Sequence, residues 1–229
     1  MRFPLLWLCL LLPLFVAVAP QVRAEAPVDP FAKWEKEIAA FEQKDRQSPP
    51  PKGGIVFVGS SSIRKWTTLA EDFPHHVVIN RGFGGSQLID SVHFADRIVI
   101  PYEPRMIVLY AGTNDIHAGK SPEQVFADFQ SFVEKIHAKL PKTEIAYISN
   151  AGNPARWADV EKVKTANSLI EKYIEGKPGL KFINVFPRML GSDGLPRPEI
   201  FGPDRLHMNA EGYKLWTEIV GPCLPSSDR

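Results

Sequence analysis

The sequence predicts an α/β fold, a parallel five-stranded sheet between two layers of helices, and three observations predict it. Short runs rich in β-branched residues alternate with longer amphipathic runs along most of the 229 residues. The segments that follow the apolar runs are short and rich in glycine and small polar residues, as loops at the carboxyl edge of a parallel sheet are. Right-handed crossovers then leave few arrangements for five strands separated by helices other than a three-layer α/β/α sandwich.

The elements follow in order. Met1-Arg2, the apolar stretch Leu5 to Ala19 broken at Pro13, and the small residues of Val22-Arg23-Ala24 read as an export signal over residues 1–24. The apolar run falls short of the roughly 20 residues that span a bilayer, which leaves an uncleaved anchor as the second choice. Residues 25–53 read as a leading helix and a linker. Phe31, Trp34, Ile38 and Phe41 recur at helical spacing from Pro30 to Gln47, and Ser48 to Gly54 holds three prolines and two glycines. Residues 54–221 read as one domain and 222–229 as a tail. Predicted strands are Ile55–Val58, Val77–Asn80, Met106–Tyr110, Ile145–Ser149 and Phe182–Val185. Predicted helices between and after them are Ile63–Ala70, Gln87–Ala95, Pro122–Leu140, Trp157–Ile174 and Ala210–Val220. Ser121-Pro122-Glu123-Gln124 is a start signal in its own right, with a hydroxyl cap, proline at the first helical position and Gln at the third.

Composition excludes several classes. With Arg2 and Arg23 removed, Lys+Arg falls from 27 to 25 against 26 acidic residues, a balance that suggests no nucleic-acid partner. Cys9 lies in the signal, so Cys223 is alone in the mature chain and no internal disulfide can form. No histidine cluster has metal-ligand spacing, and neither a metal nor a cofactor is expected. A small-molecule or polysaccharide ligand outside the cytoplasm, periplasmic or secreted, is the partner expected, with no stable membrane insertion once the signal is cleaved.

Four loops carry the candidate chemistry. Gly59-Ser60-Ser61-Ser62 puts hydroxyls where a strand turns into a helix, and free N–H groups and the helix dipole there favour negative charge. One of these serines suits a nucleophile, and capping of the helix is the plainer reading. Gly82-Phe83-Gly84-Gly85 gives backbone that can approach a ligand closely. Gly112-Thr113-Asn114-Asp115 ends the most apolar strand, so the Asn114 amide sits where it could donate to an oxyanion, or where it simply turns the chain. Asp204-Arg205-Leu206-His207 spaces a carboxylate three residues before an imidazole, which lets it fix the tautomer of a base or merely make a surface ion pair.

Taken together and in this order, these four blocks resemble the SGNH hydrolases, the GDSL esterase/lipase superfamily, over about Gly54 to Val220. The resemblance implies the flavodoxin-like fold of that superfamily. It implies Ser61 as nucleophile, His207 as base and Asp204 as the carboxylate that steers it. It also implies an oxyanion hole of the Ser61 and Gly85 N–H groups and the Asn114 amide. Ser60 stands where the family usually has aspartate, and a shift of one residue would make Ser62 the nucleophile. Nucleotide binding fails on detail, because neither Gly-x-x-x-x-Gly-Lys-Ser/Thr nor a complete Gly-x-Gly-x-x-Gly follows the first strand. An ordinary α/β-hydrolase would need Gly-x-Ser-x-Gly around Ser61, which is absent. A catalytically inactive binding module on the same fold remains as an alternative. As an enzyme, the chain is expected to hydrolyse small acyl esters, O-acetylated carbohydrate ahead of lysophospholipids or thioesters. Arg156 and Trp157 are candidates for shaping the acyl or sugar site, as against core packing for Trp157; Arg64 and Trp66 are read as anchors of the first helix.

Overall fold

The computed structural model describes residues 29–226, so the predicted export signal and the last three residues of the predicted tail lie outside the described residues. Every element below belongs to the unit that begins at Phe31. A short 3₁₀ turn, Ala32–Trp34, leads into helix α1, Glu35–Gln47. The strands are β1 Ile55–Gly59, β2 Val78–Gly82, β3 Met106–Tyr110, β4 Glu144–Ile148 and β5 Leu180–Ile183. All neighbours are parallel, in the order β2-β1-β3-β4-β5.

The apolar runs become strands buried on both faces because successive side chains point to opposite sides of the sheet. Val56 and Val58 face one core with Ile79, Ile107, Leu109 and Tyr147. Ile55 and Phe57 face the other with Met106, Val108 and Ile148. The first core is closed by α1 and by α4 Leu88–Ile98, α6 Pro122–Lys139 and α7 Val160–Ile174. The second is closed by α2 Ser61–Arg64, α3 Leu69–Asp72 and α8 Ala210–Val220. These are the two helical layers the sequence calls for. The start signal at Ser121 works as expected: its hydroxyl accepts from Gln124 N–H while the Gln124 side chain accepts from Ser121 N–H.

Several element boundaries differ from the sequence reading. The helix predicted over Ile63–Ala70 is two short ones, α2 and α3. Thr67 and Thr68 are poor helix formers, and Trp66 turns inward to pack on Phe57 and Trp216 while its indole N–H donates to Asp72. Strand β5 ends at Ile183 and not Val185, because β4 offers no pairing partner beyond Ile148. The N–H of Val185 donates instead to the Ser149 hydroxyl, which likewise keeps Ser149 out of β4. Strands β1 and β2 run on into Gly59 and Gly82, since the ladder needs backbone and not side chains. Thr113–His117, read as loop, is a short helix, α5, and α7 begins after a 3₁₀ turn at Pro154–Asp159.

Register positions the site. Gly59 is level with Gly82 of β2 on one side and with Tyr110 of β3 on the other. The loops that follow β1, β2 and β3 therefore start side by side, where the strand order reverses and ligands collect in open α/β sheets.

Candidate active site

Gly59 makes the turn out of β1 possible. Its φ is +136°, and a Cβ there would lie 2.0 Å from the Tyr110 carbonyl oxygen, so no other residue fits. Ser60 follows, buried, and its carbonyl opens α2 by accepting from Ile63 and Arg64. Its hydroxyl makes no cap bond, so capping, the plainer reading of this triplet, is not what Ser60 does. The next two hydroxyls diverge. Ser62 lies beside the buried phenol of Tyr110, whose pKa is pushed up by burial, and its carbonyl accepts from the Tyr213 hydroxyl at 2.9 Å. Ser61, at the first position of α2, faces the imidazole of His207 with Oγ 2.8 Å from Nε2.

His207 and Asp204 sit on one turn ahead of α8. Asp204 Oδ2 lies 2.6 Å from His207 Nδ1, and its other oxygen accepts the backbone N–H groups of His207 at 2.9 Å and Leu206 at 3.0 Å. The bond from the imidazole, then these two N–H groups, hold the carboxyl well below the usual carboxylate range. An ionised carboxylate only accepts, so Nδ1 carries the proton and Nε2 is left to accept from the Ser61 hydroxyl.

The expected donors follow β2 and β3. Gly85 has φ +74°, and the indole edge of Trp34 closes over it, 3.5 Å from where a Cβ would sit. Asn114, on α5, donates from Nδ2 to the Ser86 carbonyl at 2.9 Å, which leaves its second N–H free to face a ligand. Its Oδ1 accepts from Arg156 Nη1 at 2.8 Å. Asp115 is fully buried, accepts from the Leu88 N–H at the start of α4, and pairs with Lys120 at 3.0 Å. Burial pushes its carboxyl up, with Lys120 opposing.

The structure thus brings Ser61, His207 and Asp204 into one hydrogen-bonded chain and joins Asn114 to the loop after Gly85 through the Ser86 carbonyl. Two contacts escaped the sequence reading. Arg156 meets Asn114, 42 residues away, where the sequence placed it against substrate. Trp34, read only as a face of the leading helix, reaches the Gly85 loop and packs edge-on against Phe83. Of the other residues singled out, Trp66 is core, Arg64 lies over Gly84 and reaches Glu37 at 3.4 Å, and Trp157 packs on Gly152. The cleft between Thr113, Gly152, Asn153 and Arg156 holds about 10 Å³, the space of about one water. A groove of about 530 Å³ lies between α8 and the turn after α2, lined by Lys65, Thr68, Asp72, Met208, Asn209 and Lys214 among others. Among the described residues no helix is long and apolar enough to cross a membrane, and no three His, Cys, Asp or Glu side chains are grouped to hold a metal ion.

The model of the GDSL-like Lipase/Acylhydrolase family matches residues 56–215. Among curated proteins, the chain is similar to platelet-activating factor acetylhydrolase IB subunit alpha1 of Bos taurus, with 24% identity over 172 residues covering 69% of each chain. Among solved structures it is similar to a GDSL-like lipase from Bacteroides thetaiotaomicron, with TM-score 0.67, 22% identity, and 85% of this chain and 96% of that one covered. It is also similar to a mutant of an acetyl-xylooligosaccharide esterase from Geobacillus Stearmophilus, with TM-score 0.59, 14% identity, and coverage of 74% and 93%.

Proposed function

The chain belongs to the GDSL-like lipase/acylhydrolase family, and from that premise we propose an exported serine esterase that removes small acyl groups, with O-acetylated carbohydrate as preferred substrate. Family membership makes the protein a carboxylic ester hydrolase. The observation that carries the residue roles is the chain of bonds from Asp204 through His207 to Ser61, 2.6 Å and then 2.8 Å. Ser61 Oγ attacks the ester carbonyl as its proton passes to His207 Nε2, and Asp204 stabilises the imidazolium that forms. The tetrahedral oxyanion accepts from the N–H groups of Ser61 and Gly85 and from the free N–H of Asn114. His207 then protonates the departing alcohol, and water repeats the sequence on the acyl-enzyme.

One observation supports the substrate class: two of the similar proteins carry acetyl groups in their names, an acetylhydrolase and an acetyl-xylooligosaccharide esterase. Export rests on the leading sequence and would be checked by N-terminal sequencing of the mature protein, with Glu25 expected first.

The deciding test compares hydrolysis of acetyl, butyryl and octanoyl p-nitrophenyl esters and then acetate release from acetylated xylan. The acetyl ester should be fastest; an optimum at octanoyl overturns the substrate class and favours lysophospholipase-type cleavage. Ser61→Ala should abolish turnover and labelling by a fluorophosphonate, whereas Ser62→Ala should keep both. Labelling of Ser61→Ala would refute the nucleophile.

A further inference from the structure

The geometry points to Arg156 as a positioning residue that fixes the Asn114 side-chain amide with its N–H groups toward the oxyanion. This rests on the ester-hydrolase reading above. An Asn amide is nearly symmetrical in shape, and turned over by 180° it would present Oδ1 to a developing negative charge and repel it. Two bonds forbid that. The Ser86 carbonyl can only accept, so it selects Nδ2 at 2.9 Å; the Arg156 guanidinium can only donate, so it selects Oδ1 at 2.8 Å. The cation also draws electron density from the amide through the bond to Oδ1, which strengthens the N–H left to face the substrate.

Arg156 is itself placed by contacts on both sides of the site. It lies in the Pro154–Asp159 turn, which Asn153 caps by accepting the Arg156 N–H at 3.0 Å. The neighbouring N–H, that of Ala155, donates to the Arg205 carbonyl at 3.1 Å, inside the loop that carries Asp204 and His207. One short turn therefore ties the base loop to the oxyanion amide. Asp159, three residues on, does not take up the guanidinium; it bonds His117 at 2.9 Å. The charge of Arg156 is directed at a neutral amide from a half-buried position.

The test is a double-mutant cycle on p-nitrophenyl acetate with Arg156→Ala, Asn114→Ala, the pair, and Arg156→Lys. Arg156→Ala should lower kcat by about ten- to a hundredfold with KM nearly unchanged, the size usual when the outer partner of a working group is lost. Arg156→Lys, which keeps a charged donor, should recover part of the loss, as should added guanidinium with Arg156→Ala. In the Asn114→Ala background the Arg156→Ala change should have almost no further effect, because Arg156 then has nothing to orient. Equal fold losses in both backgrounds, or a raised KM with unchanged kcat, would show that Arg156 meets substrate directly and would overturn the inference. Ser61→Ala measured alongside separates the two levels. Activity surviving in that variant sinks the esterase roles, whereas activity lost there but independent of Arg156 sinks this inference alone.

Discussion

The two sides of Ser61 are built by opposite means. The oxyanion side is anchored in the core: Ser86 and Asp115 are fully buried, and Asn114 is bonded to a loop on one flank and to Arg156 on the other. The base side hangs on a surface turn, with 47% of the Asp204 side chain exposed. Donors to an oxyanion work only where charge will develop, so their positions must be fixed by packing from several elements. A base needs alignment to its carboxylate and to one hydroxyl. Asp204 and His207 achieve the first within four residues through the N–H bonds of Leu206 and His207, and the long-range bonds of the turn are the 2.8 Å contact of His207 to Ser61 and the Ala155 N–H on the Arg205 carbonyl.

The largest effect that can break this contrast is expected on the exposed side. Asp204→Asn should lower kcat by about 10⁴-fold, because an amide at that place can donate to Nδ1 and turn the imidazole to its wrong tautomer. Its Tm should fall only slightly, since the carboxylate is half-exposed and the Asn oxygen still accepts the Leu206 and His207 N–H groups. A large fall in Tm would mean that the base loop is part of the core after all. As the Asp204 carboxyl lies well below the usual carboxylate range, first through its bond from His207, it stays ionised across that range. Stability from this group is present above the unfolded carboxylate pKa and is lost only as pH falls through the lower folded value.

Next in size is a change far from the chemistry. The buried guanidinium of Arg81 pairs with Asp45 of α1 at 2.6 Å and with the Tyr102 hydroxyl, which also bonds Asp45, while burial and then Asp45 push the Tyr102 phenol up to about 12. Asp45→Ala leaves that cation buried and unpaired, at a cost of about 3–5 kcal/mol, or about 10 °C in Tm for a domain of this size. Because the turn that leads into α1 meets the Gly85 loop through the Trp34 indole edge and not through a hydrogen bond, kcat below the transition should change by less than about threefold. A kcat loss as large as that of Asn114→Ala would place α1 among the supports of the oxyanion hole. Asn114→Ala itself should lower kcat by about 10²–10³ with KM nearly unchanged. The comparison predicts that this loss comes with a larger fall in Tm than that of Asp204→Asn, since Ser86 and Arg156 lose a partner.

The same contrast explains what could be read from the chain alone. Asp204 and His207 are legible because both partners lie on one turn, and Gly59 is legible because a strand must reverse there. The layers are legible because residues 55–58 alternate between two cores. The bond between Arg156 and Asn114 is not, because it joins loops that only the sheet brings together and no spacing encodes it. Strand ends escape for a related reason: whether Val185 belongs to β5 depends on where β4 stops. The divergence of Ser61 from Ser62 is likewise set from outside the triplet, by Tyr110 and His207.

The smallest expected effect probes how the oxyanion side is paid for in charge. Asp115 sits next to Asn114 and holds the start of α4 to α5 through the Leu88 N–H, with no exposed surface. Burial raises its pKa above the unfolded value, so the folded protein binds its proton more tightly than the unfolded chain does. Its contribution to stability is then greatest below the unfolded carboxylate pKa and declines as pH rises through the folded one. Lys120 argues the other way: burial pulls its ammonium down, yet its bonds to Asp128 and Asp115 outweigh that and leave it raised. The burial of Asp115 should prevail, because its side chain has no contact with water whereas that of Lys120 is 24% exposed. Asp115→Asn keeps an acceptor for Leu88 and leaves Lys120 its 2.8 Å pair with Asp128. The Tm of the variant relative to the unaltered protein should therefore climb by a few degrees between pH 4 and pH 7, with kcat little altered. A relative Tm that drops over that interval would mean that the ion pair with Lys120, and not burial, governs this side of the site.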